Sequence, residues 1–396
     1  MPNENKKVQK TNYYSWKIGS LAKGCSMCVE GRKSVLFITG VCSSDCYFCP
    51  ISDKKKNQDV IYINEMPVEI IKVGKDEDHN SAIKEVISEI RTCSSTGVGI
   101  TGGDPLSRIE RTVEFIKALK QAYGNDFHIH LYTPLNLVNE KNLSLLYEAG
   151  LDEIRFHPKF EKPYDKKLWD RIILAKKYDW DIGVEIPVIP GKETEIKELL
   201  DFIENDIKFL NLNELEIADN SFSKLTEIGF IPKDSLSYAC KGSEELALKL
   251  LEYCKNKRFK VHYCTAKLKD KVQMSKRIML RAKNIKTVFD IISKDGMLKK
   301  GALYLPELKP GAGYRDTLYN KSIEEKEKIL EKLGFLKLKL AAACIKTDVD
   351  NVKLRLVCSE NAAATQKNKI KCFGLVPAIV EEYPTFDAFE VEVEFL

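Results

Sequence analysis

No long apolar run, low-complexity tract, internal repeat or strong charge bias marks this chain of 396 residues. Each absence excludes something. No stretch approaches the roughly 20 apolar residues that cross a bilayer, so no membrane partner is expected. The polar opening "MPNENKKVQKTNYYSW" predicts no secretory signal and hence a cytoplasmic protein. Lys+Arg at 63 against Asp+Glu at 58 gives a net charge of only +5. That balance makes a poor bulk case for nucleic-acid binding, although a local basic patch remains open. The lack of a repeat excludes a solenoid. The length and the 44% hydrophobic content suit two domains, or one large barrel with an appendage.

Cysteine, by contrast, is plentiful: there are 12. In a reducing compartment they argue against a disulfide framework, so some should be core residues and clustered ones should bind metal. Cys93, Cys254 and Cys358 each continue an apolar face and read as small buried hydrophobes.

Three regions follow from the patterning. Residues 1–33 are a polar N-terminal extension containing "GCSMC". Residues 34–265 alternate short apolar strands with helical segments. The strands are expected at 34–41, 98–102, 127–133, 152–157, 181–189, 209–217 and 260–265. Helices are expected at 107–123, opened by a Ser107–Glu110 capping box, and at 139–149, stopped by Gly150. Others should cover 166–178, 193–205 and 243–257. Residues 266–396 begin with a basic helix and continue as a smaller β-rich α+β domain with a helix near 322–333, a candidate for binding substrate.

The strands alternate in character. In "DIGVEIPVI", Ile182, Val184, Ile186 and Val188 share one face; Asp181, Gly183, Glu185 and Pro187 share the other. A doubly wound sheet, covered by helices on both faces, would read apolar throughout. One apolar and one polar or tiny face predict an open, partial parallel (β/α) barrel with a polar lumen. His130, Arg155, His157, Glu185 and Asn213 fall on that lumen face and should converge on one cavity. A self-satisfied polar network is the alternative.

"GVCSSDCYFCP" (40–50) follows the first predicted strand, where a parallel α/β domain puts its chemistry. Cys42, Cys46 and Cys49 could hold three irons of a [4Fe–4S] cluster and leave the fourth free. A zinc reading stays open, because Cys25-x2-Cys28 and Cys46-x2-Cys49 have a zinc-ribbon spacing. Cys25 and Cys28, with His262, Cys264 and Cys240, form a candidate second site for an iron–sulfur cluster or metal ion.

Cys-x3-Cys-x-aromatic-Cys after a first barrel strand resembles the signature of radical S-adenosylmethionine (radical SAM) enzymes. "TGGDP", Thr101, Gly102, Gly103, Asp104 and Pro105, is similar to that family's Gly-Gly-Glu-Pro segment, with Asp where Glu is usual. "VEIPVIPG" and "YTPLN" resemble segments of activating enzymes for pyruvate formate-lyase. The whole chain looks closest to a group of largely archaeal radical SAM proteins related to those enzymes. The resemblance implies a [4Fe–4S] cluster whose open iron binds SAM. One electron then cleaves SAM to methionine and a 5′-deoxyadenosyl radical that removes hydrogen from substrate. It implies Phe48 beside the adenine and Asp104 on the SAM ammonium, with Gly102 and Gly103 allowing close backbone approach. It also implies a low-potential electron donor such as ferredoxin or flavodoxin. Glu185 could hold a ribose hydroxyl, and His130, Arg155, His157 and Asn213 are candidates for catalysis. For the substrate, seven basic residues of the helix at 267–283 (Lys267, Lys269, Lys271, Lys276, Arg277, Arg281, Lys283) lean towards RNA, such as tRNA. A peptide or protein, or a small metabolite, is the alternative.

Overall fold

The computed structural model describes residues 6–73, 76–161 and 164–396. The chain folds as two compact units, Met1–Arg277 and Ile278–Leu396.

The first unit is the open α/β barrel. Seven parallel strands lie side by side in chain order: β1 (Lys33–Phe37), β2 (Gly97–Thr101), β3 (His128–Pro134), β4 (Glu153–His157), β5 (Asp181–Val188), β6 (Phe209–Glu214) and β7 (Lys260–Cys264). Antiparallel strands extend both edges and make 11 in all, so the sheet ends rather than closing on itself. Trp16–Ile18 pairs with β7, and Val8–Lys10 pairs beyond it. At the other edge Ile61–Ile63 pairs with β1.

Period-two alternation is what makes the barrel. Val98, Ile100, Ile129, Leu131, Ile154, Phe156, Val184, Ile186, Leu210 and Leu212 all point to the helix layer and are fully buried in one core. At roughly 1.5–3 kcal/mol for each buried large side chain, this face dominates the stability of the unit. The helices that cover it include Asn80–Thr92, Ile109–Tyr123, Glu140–Ala149, Glu193–Phe202 and Ser243–Cys254. Glu140–Ala149 ends as its sequence predicts, with Gly150 at φ 99°.

Two helix expectations need correction. Ser107 and Glu110 form no capping box. Asp104 instead caps a 3-10 turn, Pro105–Arg108, by accepting from the Leu106 N–H, and the α-helix starts at Ile109. Ser107 Oγ donates back to the Asp104 carbonyl at 2.7 Å. The region 166–178 is three short turns rather than one helix. Its Trp169 is buried, stacks on Tyr164 and donates from Nε1 to the Lys159 carbonyl.

Residues before β1 are part of the sheet and lumen. Helix α1 (Lys23–Val29) lies against the lumen face. A Cβ on Gly24 would fall 2.6 Å from both Arg155 Nη2 and His130 Nδ1, so only glycine permits that approach.

The second unit carries an antiparallel sheet in the order Asp348–Asp350, Arg355–Cys358, Leu298–Tyr304, Val376–Glu382, Glu390–Phe395. Helix Ile323–Ala342 opens with a true capping box, Ser322 and Glu325. Inside, fully buried Arg355 is paired with Asp350 and Glu382 and donates to Tyr304. Cys93, Cys254 and Cys358 are buried, as their apolar faces predict.

Candidate active site

The loop after β1 is anchored at its base. Gly40 N–H donates to the Gln58 carbonyl and Asn57 N–H to the Gly40 carbonyl. Thr39 Oγ1 donates to Asp59 at 2.8 Å, and Arg111 and Arg108 both grip the same carboxylate. Burial opposes ionisation of Asp59, but these donors win and hold it below the usual carboxylate range.

Neighbouring elements fix the rest of the loop. Asn136 Nδ2 donates to the Ser43 carbonyl, and Asn220 Nδ2 to the Cys49 and Ile51 carbonyls. Lys224 N–H donates to the Tyr47 carbonyl. Ser43 Oγ donates to Asp104 at 2.6 Å, and Thr133 Oγ1 donates to the other oxygen of that carboxylate at 2.9 Å. Asp104 is fully buried with these partners and the Leu106 N–H, and burial raises its pKa. Gly102 and Gly103 make the same join possible. A Cβ on either would fall 2.4 Å from a carbonyl of the loop, Thr39 O or Val41 O.

Cys42 and Cys46 are half-buried and Cys49 is buried. Burial pushes the Cys46 thiol up to about 12, and Cys42 and Cys49 add to the shift. Burial raises Cys42 as well, so these two sulfurs resist ionising without a metal. A metal reverses that, because a coordinating thiol is deprotonated outright. Lys56, a buried lysine that sequence reasoning missed, donates to Cys49 Sγ at 3.5 Å. Its only sequence signal is the run Lys54–Lys56, which reads as a solvated patch.

A cavity of about 700 Å³ opens beside the loop, lined by Cys46, Phe48, Asn136, His157, Glu161 and Lys192 among others. That lies within the usual range for a small-molecule site. Phe48 and His157 rings lie 6.0 Å apart there. Glu161 accepts from Tyr47 OH. Residues 101–105 lie behind the loop and do not line this cavity.

The other lumen residues gather elsewhere. Register places Glu185, Asn211 and His262 in one row, and Pro187, Asn213 and Cys264 in the next. Arg155 bonds Glu153 and, at 2.9 Å, Glu185; Asn211 and Asn213 complete the Glu185 carboxylate at 2.8 and 2.9 Å. Burial pushes Glu185 up, yet Arg155 and the two amides hold it below the usual range. Arg155, Glu185 and Asn213 line a second, smaller cavity of about 120 Å³. His130 is buried against Tyr132, and burial pushes its pKa down. The single convergent cavity expected from the alternation is thus two. His157 faces the large one, Arg155, Glu185 and Asn213 the small one, and His130 lines neither.

Among the described residues, no group of three His, Cys, Asp or Glu side chains is gathered so as to hold a single metal ion. A closed zinc knuckle needs that convergence. A cluster does not, because each thiolate binds a different iron.

Comparison with known proteins decides the family. The pattern of the radical SAM superfamily matches residues 36–203. A protein of Methanocaldococcus jannaschii, provisionally named a glycyl-radical enzyme activating enzyme, is 40% identical over 386 residues, 96% of this chain and 94% of its own. The chain belongs to the radical SAM superfamily. Among solved structures, methylornithine synthase shares 16% identity over 59% of this chain and 70% of its own, with a TM-score of 0.37. Coproporphyrinogen III oxidase from Escherichia coli shares 12% over 89% of this chain and 94% of its own, with a TM-score of 0.31.

Radical SAM membership implies a [4Fe–4S] cluster and SAM, and the residues present fit both. Three thiols share one anchored loop, an ammonium is aimed at one of them, and a cavity large enough for a cofactor adjoins Cys46. Among the described residues, no helix is long and apolar enough to cross a membrane.

Proposed function

We propose that this radical SAM enzyme acts on a protein, as an activating enzyme, and binds SAM in the large cavity. The observation that carries the reading is the anchored Cys42–Cys46–Cys49 loop at the edge of that cavity. Cys42, Cys46 and Cys49 hold the cluster. When bound, the cluster and SAM supply one-electron cleavage of the sulfonium and abstraction of a hydrogen atom from substrate.

The chain's own residues supply position and shielding. Phe48 and His157 offer the planar surface for the adenine. Lys159 and Lys192 provide cations for a carboxylate, and Glu161 an acceptor for ribose hydroxyls; all three line the cavity. Asp104 and the two glycines act as positioning residues: they lock the cysteine loop onto β2 and β3. Asp104, fully enclosed by its three donors, is assigned to that lock rather than to the SAM ammonium. Glu185 is likewise assigned to the Arg155 network rather than to ribose.

The protein reading rests on the name of the Methanocaldococcus relative and on what has become of the basic helix. Lys269 is paired with Glu216, Lys276 with the Val29 carbonyl, Arg281 with the Pro384 carbonyl, and Lys267 lies over the Tyr14 ring. Arg277 reaches the Lys33 carbonyl at 3.5 Å. Five of the seven cations are thus engaged within the chain, which makes the helix a poorer phosphate rail and favours the protein reading over RNA. A low-potential donor such as ferredoxin or flavodoxin fits as the reductant in the cytoplasm. The C-terminal unit, with exposed Tyr319, Ile323 and Leu338, is the part we assign to substrate docking.

Anaerobically purified protein should be brown and should cleave SAM to methionine and 5′-deoxyadenosine when reduced. A colourless zinc protein without cleavage would sink the reading. Proteome mass spectrometry of a deletion strain should show one protein modification lost; salt-sensitive tRNA binding with a lost tRNA modification would restore RNA.

A further inference from the structure

The small lumen cavity gathers chemistry that SAM cleavage does not use. Cys25 and Cys28 stand three residues apart on α1, which puts both thiols on one helix face. Cys264, the last residue of β7, meets them from the sheet. All three line the cavity of about 120 Å³, together with His262.

His262 is 3% exposed and its Nδ1 has no hydrogen-bond partner. Its Nε2 lies 3.1 Å from Ser15 Oγ. A hydrogen on Nε2, donated to that hydroxyl, leaves Nδ1 with a bare lone pair, as in ligating histidines whose other nitrogen is fixed by a neighbour. An unpartnered nitrogen this deeply buried is costly unless something binds it.

Two of the three sulfurs have N–H donors beside them. Asn211 Nδ2 lies 3.1 Å and Arg155 Nη2 3.4 Å from Cys25 Sγ. Gln273 Nε2 is 3.8 Å from Cys264 Sγ, brought there by the π-helical turn Lys269–Met274. Such donors suit anionic sulfur and tune cluster potentials. The charges in the lining are paired: Arg155 with Glu153 and Glu185, and Lys269 with Glu216.

We propose that Cys25, Cys28, Cys264 and His262 hold a second iron–sulfur cluster, of the [4Fe–4S] type, in this cavity. A single ion is disfavoured, because these donors ring the cavity without converging on a point. Cys240 takes no part: it is fully buried in the hydrophobic core and does not line the cavity.

The test removes the first cluster. A Cys42→Ala/Cys46→Ala/Cys49→Ala variant is reconstituted anaerobically with iron, sulfide and a thiol reductant. It should retain about four iron and four sulfide per chain and a reduced-cluster EPR signal. Adding Cys25→Ala, Cys28→Ala and Cys264→Ala should remove them. A folded loop variant without iron, or with one zinc and no sulfide, overturns the proposal. If the loop variant does not fold, the wild-type chain decides: about eight iron supports the second cluster and about four overturns it. Neither count depends on SAM cleavage, so the radical SAM reading stands or falls separately.

Discussion

Two groups of three cysteines sit in one barrel, and they are held in opposite ways. Cys42, Cys46 and Cys49 ride a loop pinned from outside by Asn136, Asn220 and the backbone of Lys224. Cys25, Cys28 and Cys264 ride a helix and a strand end. The loop borders about 700 Å³ of cavity, the regular elements only about 120 Å³. Loops give access, and rigid elements give fixed geometry. The first arrangement leaves room for a cofactor to react. The second encloses whatever it holds among compensated charges.

The sharpest test of that contrast is Cys46→Ala, which should abolish 5′-deoxyadenosine formation altogether, measured by chromatography. Next comes Arg155→Met, which leaves Glu153 and Glu185 buried without their cation. A loss of about 4 kcal/mol in urea unfolding is expected. Weaker SAM cleavage with unchanged stability would instead join the lumen to the active site and erase the contrast. Asp59→Asn should cost about 3 kcal/mol, since Arg111 loses its carboxylate, and should slacken the base of the loop. Ser43→Ala removes one donor from the Asp104 lock and should cost about 1.5 kcal/mol by the same measurement.

The last effect is a pH slope, whose size accumulates with each pH unit. Burial first, then the Lys33 ammonium, push His128 down to about 2 from 6.5. Below pH 6.5 the unfolded chain takes up a proton there and the folded chain does not. Stability should therefore be lost as pH falls, by about 1.4 kcal/mol per pH unit from this group. His128→Gln should flatten that limb in denaturant titrations at pH 4–6.5.

Much of this was legible in the sequence. Alternation in "DIGVEIPVI" and its sisters assigned both faces of the barrel, and the cysteine spacing marked the loop. Alternation states which face a side chain takes, not its height along the barrel. His157 and Arg155 share a face of β4, yet they border different cavities. The insertion of α1 into the lumen was hidden too, since a lone Gly24 carries no signal of what approaches it. Asp104 showed its residue type in the motif but not its enclosure, which depends on Ser43 and Thr133 from two other segments.

The edge strand Trp16–Ile18 has a consequence for how the molecule is made. It pairs with β7, Trp16 opposite Tyr263, and Ser15 meets His262 at a separation of 247 residues. On a ribosome Trp16–Ile18 emerges well before its partner strand, which comes more than two hundred residues later. Such long-range closure is slow, and a chain waiting for it exposes an unpaired edge. This edge strand must therefore be among the last parts of the barrel to find its place. A thiol-bearing helix is carried into the lumen with it, so the small cavity takes shape only when synthesis of the barrel is complete.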